Sequence, residues 1–145
     1  MRGSATIRLA AIAAAALVAT ACQPAATTVD VTLQEWAVVV ADDSVPAGEV
    51  TFSVTNDGPD DIHEFVIIRT DLAPGDLPVD EHGAVTEAGE GMEVVDEIED
   101  IPVGDTAEVT VELEAGSYVL LCNIYSADED EAHYAEGMRI AFTVE

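Results

Sequence analysis

The chain has 145 residues, with 30 Asp plus Glu against 4 Arg, no Lys, and a net charge of −26. At this length one domain is the default, and so negative a surface excludes ordinary nucleic-acid binding, which needs Lys and Arg against phosphate. An apolar fraction of 49% excludes a disordered acidic tail, and the charge argues against docking on anionic lipid.

The first 21 residues differ from the rest. They hold Arg2 and Arg8 and no acid, so the remaining chain carries 30 acids against 2 Arg, a net of −28. The run Leu9–Ala19 is apolar over 11 residues, too short to span a bilayer, for which roughly 20 are needed. It reads as the hydrophobic region of an export signal, with cleavage before Cys22. Ala19-Thr20-Ala21 suits an ordinary signal peptidase, while Val18–Cys22 also resembles a bacterial lipoprotein box in which Cys22 takes lipid. Under the second reading, residues 22–28 are a tether and 29–145 the domain. The location is then the outer face of the cytoplasmic membrane or the periplasm; under the first it is secreted and soluble. A lipidated Cys22 leaves Cys122 without a disulfide partner, and a lone thiol in an exported protein demands a reason.

From Val29 onward the dominant period is two, the mark of half-buried strands. Val29–Val40 alternates through Val29, Val31 and Leu33, then changes phase to Trp36, Val38 and Val40, which suggests a bulge. Glu49–Thr55, Thr106–Glu114 and Arg139–Glu145 alternate without interruption. His63–Ile68 and Tyr118–Cys122 are nearly continuous in apolar residues, as central strands are. Turn residues separate these runs at Pro46–Gly48, Asn56–Pro59, Pro102–Gly104 and Ala115–Gly116. Asp71–Gly91, rich in Gly and Pro, is a long connection with room for one short helical turn. The expected architecture is an all-β Greek-key sandwich of about seven to eight antiparallel strands.

Phosphate-loop, dinucleotide-binding, HExxH, CxxC and nucleophile-elbow patterns are all absent. With 30 carboxylates, paired acids carry no information. The informative set is smaller. His63 opens one central strand, Cys122 closes the other, and His133 stands five residues before Met138 at the start of the last strand. Two imidazoles, one thiolate and one thioether are the donors of a blue-copper site, with an equatorial His2Cys plane and a long axial Met. Parity places His63, Phe65 and Ile67 on one strand face, and Tyr118, Leu120 and Cys122 on another. If both faces point inward, His63 and Cys122 meet at one end of the core. His82 reads as a solvated loop residue, Trp36 as core, and Glu93–Asp100 as a solvated face.

The segments Asn56-Asp-Gly-Pro-Asp-Asp-Ile-His63-Glu-Phe-Val, Gly116-Ser-Tyr-Val-Leu-Leu-Cys122-Asn-Ile and His133-Tyr-Ala-Glu-Gly-Met138 resemble the cupredoxins, most closely their plastocyanin-like and sulfocyanin-like members. The resemblance spans Val29–Glu145. It implies one copper ion cycling between Cu(I) and Cu(II), with His63, Cys122 and His133 equatorial and Met138 axial. It also implies that His133 presents an edge to the surface, with Tyr134 and Ala135 nearby. Ala115–Tyr118 looks like a tyrosine corner. One departure is evident: ten residues, Asn123–Ala132, separate Cys122 from His133, where the family has two to four. Lengthening a loop costs little entropy, and the extra length leaves room for a more tetragonal site or a more accessible copper.

The expected function is electron transfer rather than catalysis, because four protein ligands leave little space for substrate. A copper carrier or buffer is the alternative, and a metal-free partner-binding sandwich a third. The expected partner is a redox protein such as a basic cytochrome, drawn by Asp128–Glu131. Contact with membrane is through the lipid anchor only, with no nucleic acid, and the chain is expected to be a monomer.

Overall fold

Alternating apolar residues become strands whose inner faces meet. The computed structural model describes residues 26–145; the expected export segment, Cys22 and residues 23–25 of the expected tether lie outside the described residues. The strands are β1 (Thr27–Gln34), β2 (Ala37–Val40), β3 (Ser44–Val45), β4 (Gly48–Gly58), β5 (His63–Thr70), β6 (Met92–Ile101), β7 (Thr106–Leu113), β8 (Gly116–Leu121), β9 (Tyr125–Ser126), β10 (Glu131–Ala132) and β11 (Arg139–Val144). One helical turn, α1 (His133–Glu136), precedes β11. Eight of these strands have four or more residues, in line with the expected count.

Two sheets form the sandwich, ordered β2-β1-β4-β7 and β3-β11-β8-β5-β6, and β9 pairs with β10 as a separate small hairpin. The sheets are mixed rather than purely antiparallel, because β1 runs parallel to β4 and β3 parallel to β11. The phase change between Leu33 and Trp36 is chiefly a turn. Gln34 pairs with Ala37 across Glu35-Trp36, so β1 and β2 form a hairpin. A register shift at Leu33/Gln34 against β4 accompanies it.

Val29, Val31, Leu33, Val50, Phe52 and Val54 of the first sheet bury against Phe65, Ile67, Tyr118, Leu120, Phe142 and Val144 of the second. Phe52 sits between Phe65 and Phe142, with ring centroids 5.3 and 5.5 Å away, in the tilted and edge-on arrangements that aromatic quadrupoles favour. The unbroken apolar runs of β5 and β8 have a second role. Val66, Ile68, Val119 and Leu121 point outward and are covered by Leu77, Val85 and Tyr134. The long connection therefore packs as a lid on the central strands. It contains turns and one isolated bridge, Val79 to Val85, and no helix. The helical turn stands instead at His133. The acidic run Glu93–Asp100 lies in β6, the outer strand beside β5. There an alternation of exposed acids and half-buried Val94, Val95 and Ile98 keeps a sheet edge soluble.

The tyrosine corner forms. The Tyr118 hydroxyl donates to the Glu114 carbonyl at 2.8 Å, tying the β7–β8 turn to β8 at the end of the sandwich opposite Cys122.

Candidate metal centre

Three strand ends converge at one end of the sandwich. His63 is the first residue of β5, Cys122 follows β8, and His133 begins α1. His63 and Cys122 are fully buried and His133 keeps 1% of its surface, so the inward parity read from the two central strands holds. The His63 Nδ1 and His133 Nδ1 atoms lie 3.1 Å apart. Cys122 Sγ is 3.3 Å from His133 Nδ1 and 3.9 Å from His63 Nδ1.

These three atoms converge on a shared point at bonding distance for a metal ion. A triangle with sides of 3.1, 3.3 and 3.9 Å has its equidistant centre about 2.0 Å from each corner, close to metal–imidazole and metal–thiolate bond lengths of roughly 2.0–2.3 Å. Among the described residues, His63, Cys122 and His133 are the one group of three such donors converging in this way. Met138 is fully buried in the same core cluster as Cys122. Its carbonyl accepts the Cys122 N–H at 3.0 Å and its N–H donates to the His133 carbonyl at 3.0 Å. The backbone thus joins the fourth expected donor to two of the others.

The local sequence explains why each donor is held. Before His63 the chain turns at Asn56–Pro59, and the Asn56 side chain is buried there. Its amide donates to the carbonyls of Asp61 and Ile101, and its oxygen accepts the Gly58 N–H, each at 2.8 Å. Gly58 has φ +58°, which glycine adopts without cost. Glu35, from the β1–β2 turn, braces the same segment: its Oε1 accepts the N–H of Asp61 at 2.8 Å and of Asp60 at 3.2 Å. The Glu64 N–H donates to Cys122 Sγ at 3.4 Å.

The ten residues between Cys122 and His133 are ordered by the rest of the protein. Tyr125–Ser126 pairs with Glu131–Ala132, the His133 N–H donates to the Ile124 carbonyl at 2.9 Å, and the Tyr125 hydroxyl donates to Asp130 Oδ1 at 2.7 Å. Asn123 bonds the backbone N–H and carbonyl of Val85 and the Glu87 carboxylate. The Tyr134 hydroxyl donates to the Pro74 carbonyl at 2.6 Å. His82 is exposed as expected, but its ring stacks on Tyr125 at 4.4 Å. The long loop and the long connection therefore fasten each other. The resemblance implies that His133 presents an edge to the surface, and the longer loop leaves room for a more accessible copper; neither follows, since His133 is buried and the Trp36 ring lies edge-on to it at 5.1 Å. Trp36 is only partly buried and belongs to the site's wall as well as to the core. Gly137 closes the turn with φ +130°, and a Cβ there would sit 3.1 Å from the Trp36 carbonyl.

Burial governs the titration of this pocket. It holds the imidazoles of His63 and His133 below their ordinary value, and for His63 the neighbouring His133 adds to the effect. Burial pushes the Cys122 thiol up to about 12 against the opposing pull of the Glu64 and Ile124 amides. Burial also raises the Glu64 carboxyl to about 7 despite its bond from the Asn123 N–H. Burial would raise Glu35 too, but the N–H groups of Asp61 and Asp60 bring it below its ordinary value.

The signs oppose one another in the metal-free protein. Depressed histidines make the unfolded chain the better proton binder, so their contribution is lost as pH falls below about 6.5. Raised Glu64 makes the folded chain the better binder, so stability is lost as pH rises from 4.5 through about 7. Glu64→Gln is therefore expected to stabilise the metal-free protein more at pH 8 than at pH 4.5, by roughly 1–3 kcal/mol. Urea titrations at the two pH values measure this, and a difference that does not change with pH contradicts it.

No family model matches the chain, and no curated protein matches it. Solved structures do. Auracyanin from Roseiflexus castenholzii is similar at 22% identity over 84% of this chain and 99% of its own, with a TM-score of 0.58. Auracyanin A from Chloroflexus aurantiacus, described as a "blue" copper protein, has 18% identity over 82% and 98%, with a TM-score of 0.55. Azurin from Methylomonas sp. strain J has 18% identity over 83% and 99%, with a TM-score of 0.54. The chain has the cupredoxin fold.

On that fold, His63, Cys122 and His133 meet as the sequence analysis expects of the equatorial donors, and thiolate with imidazole is a donor set that suits copper as well as zinc. Sequence reasoning missed Glu35, Asn56 and Glu64. Asn56 lies in the quoted turn motif and Glu35 at the phase change, so both positions were marked; their contacts were not.

Proposed function

We propose that this cupredoxin-fold protein is a blue-copper electron carrier, exported and tethered by lipid on Cys22, with His63, Cys122, His133 and Met138 as its metal ligands. The observation that carries the reading is the convergence of two imidazole nitrogens and one thiol sulfur on a point about 2.0 Å from each. Bound there, copper supplies a one-electron Cu(II)/Cu(I) couple. The protein's part is to hold the donors so that little moves between the two states. Bonds from Asn56 and Glu35 fix the approach to His63, the Glu64 amide directs a hydrogen bond to the Cys122 sulfur, and the hairpin with Asn123 and Tyr134 fixes His133. A pocket this closed favours a carrier of electrons over an enzyme.

The alternative, a copper carrier or buffer, would be served by a ligand loop free to open, whereas the hairpin is fastened to the rest of the protein. Redox titration of the copper-loaded protein separates the two readings. An electron carrier shows a reversible one-electron couple and keeps its metal in both states. Ready loss of Cu(I) to a soluble chelator instead favours carriage.

Asp128, Glu129 and Asp130 are exposed at the tip of the hairpin and Glu131 is half-buried behind them. This local charge supports a cationic redox partner such as a basic cytochrome. Replacing all four acids by Asn and Gln is expected to lower the rate of electron transfer to such a cytochrome at low ionic strength by roughly tenfold or more. The difference vanishes near 1 M salt, where the screening length is about 3 Å. Equal rates at low salt refute the steering.

A further inference from the structure

Behind His63, on the side away from the metal donors, two polar atoms are buried without a hydrogen-bond partner: His63 Nε2 and Glu35 Oε2. Buried polar groups are rarely left unpaired, and each such exception asks for an explanation. Here the two orphans belong to adjacent side chains, with His63 Nε2 3.7 Å from Glu35 Oε1 and the Glu35 side chain only 11% exposed. The other demands on the carboxylate are already settled. Oε1 takes the N–H groups of Asp60 and Asp61, leaving Oε2 as an acceptor with nothing to accept.

An imidazole carries its single proton on one nitrogen, and the partner of the other nitrogen decides which. A carboxylate facing Nε2 favours the Nε2–H form, which turns the Nδ1 lone pair toward His133 and Cys122. The opposite form would set two lone pairs face to face behind the ring and block the donor in front of it. We propose that Glu35 is the positioning residue of the metal centre. It accepts the Nε2–H of His63, fixes the tautomer that offers Nδ1 to the metal, and adds a negative charge that favours Cu(II) over Cu(I). The inference rests on the copper reading of the His63 site, and the hydrogen bond needs a closure of about 0.5–1 Å between two already adjacent groups.

Glu35→Gln tests it, because the substitution is nearly isosteric and keeps the backbone brace. The amide oxygen must serve the Asp60 and Asp61 N–H groups, so an NH2 replaces the unpartnered Oε2 and no carboxylate charge remains beside Nε2. A buried NH2 there is answered by a lone pair at Nε2, the neighbouring orphan. Long-range proton–nitrogen correlation spectra of the metal-free protein at pH 8 are expected to show His63 protonated on Nε2 in the wild type and shifted toward Nδ1 in Glu35→Gln. Copper(II) affinity is expected to fall roughly ten- to hundredfold. The preference for Cu(II) over Cu(I) falls about tenfold, a rise of about 59 mV in reduction potential.

A purely structural brace predicts no change of tautomer, because Gln preserves the brace. An unchanged His63 tautomer in Glu35→Gln, or a wild type protonated on Nδ1, overturns the positioning role. A reversed tautomer with an unchanged potential overturns the charge effect. Absence of copper binding by the wild type overturns the copper reading instead, and leaves the tautomer measurement to decide the role of Glu35.

Discussion

Copper(II) present at a thousandfold excess over its dissociation constant is expected to raise the thermal midpoint of the metal-free protein by roughly 10–20 °C. A ligand that binds only the folded state contributes about 4 kcal/mol at that excess, and a domain of this size moves by several degrees per kcal/mol. The structural reason is that the site exists before the metal arrives. Two imidazole nitrogens 3.1 Å apart beside a buried thiol already stand within bonding distance of a shared point, so a cation binds without rearranging the fold. The unfolded chain holds no such cluster, because His63 lies 59 positions before Cys122 and is brought to it only by folding. Cys122→Ser is expected to leave the metal-free midpoint within a few degrees and to abolish most of the rise. Thermal denaturation followed by circular dichroism measures both, and a wild-type midpoint indifferent to copper contradicts the expectation.

The largest effect away from the donors is expected at Asn56. Asn56→Ala leaves the carbonyls of Asp61 and Ile101 and the N–H of Gly58 without their side-chain partner. At about 1–3 kcal/mol for each buried group left unsatisfied, the loss is roughly 3–5 kcal/mol. Asn56→Asp gives the sharper test. It keeps the shape and the acceptor for Gly58, but puts a carboxylate oxygen where the amide donated to two carbonyls. At neutral pH it is expected to be at least as damaging as Asn56→Ala. Urea denaturation ranks the two, and an Asn56→Asp protein as stable as the wild type removes Asn56 from the account. Both variants are also expected to weaken metal binding, since Asn56 holds the segment that delivers His63.

Much of this organisation was legible in the sequence. A period of two gave the strands, and uninterrupted apolar runs marked β5 and β8 as central; their outer faces are indeed covered. Parity along those two runs brought His63 and Cys122 to one end of the core. Three features were not legible, each for a physical reason. The change of phase at Glu35-Trp36 has the same signature for a bulge and a tight turn, because alternation records which side a residue faces and not whether the chain reverses. Parallel pairing of β1 with β4 leaves no mark on alternation at all. The loop from Asn123 to Ala132 has the composition of a solvated insertion, yet it is ordered by Asn123, Tyr125 and Tyr134 through contacts with a connection some 40–60 residues earlier. Long-range partners of that kind cannot be read from local pattern. The same limit hid Glu35, whose carboxylate reaches residues 25 and 26 positions away.

The opening excess of acid divides in two. Most of it lies on strand faces and turns remote from the donors, where it keeps sheet edges apart and in solution. A small part is buried near the donors: Glu35 beside His63, and Glu64 on the Asn123 N–H.

The visible absorption spectrum of the protein after addition of one equivalent of Cu(II) decides whether His63, Cys122 and His133 form a blue-copper site. An intense thiolate-to-copper band is expected, saturating at one copper per chain and disappearing in Cys122→Ala. A weak ligand-field spectrum alone, unchanged by that substitution, would contradict it.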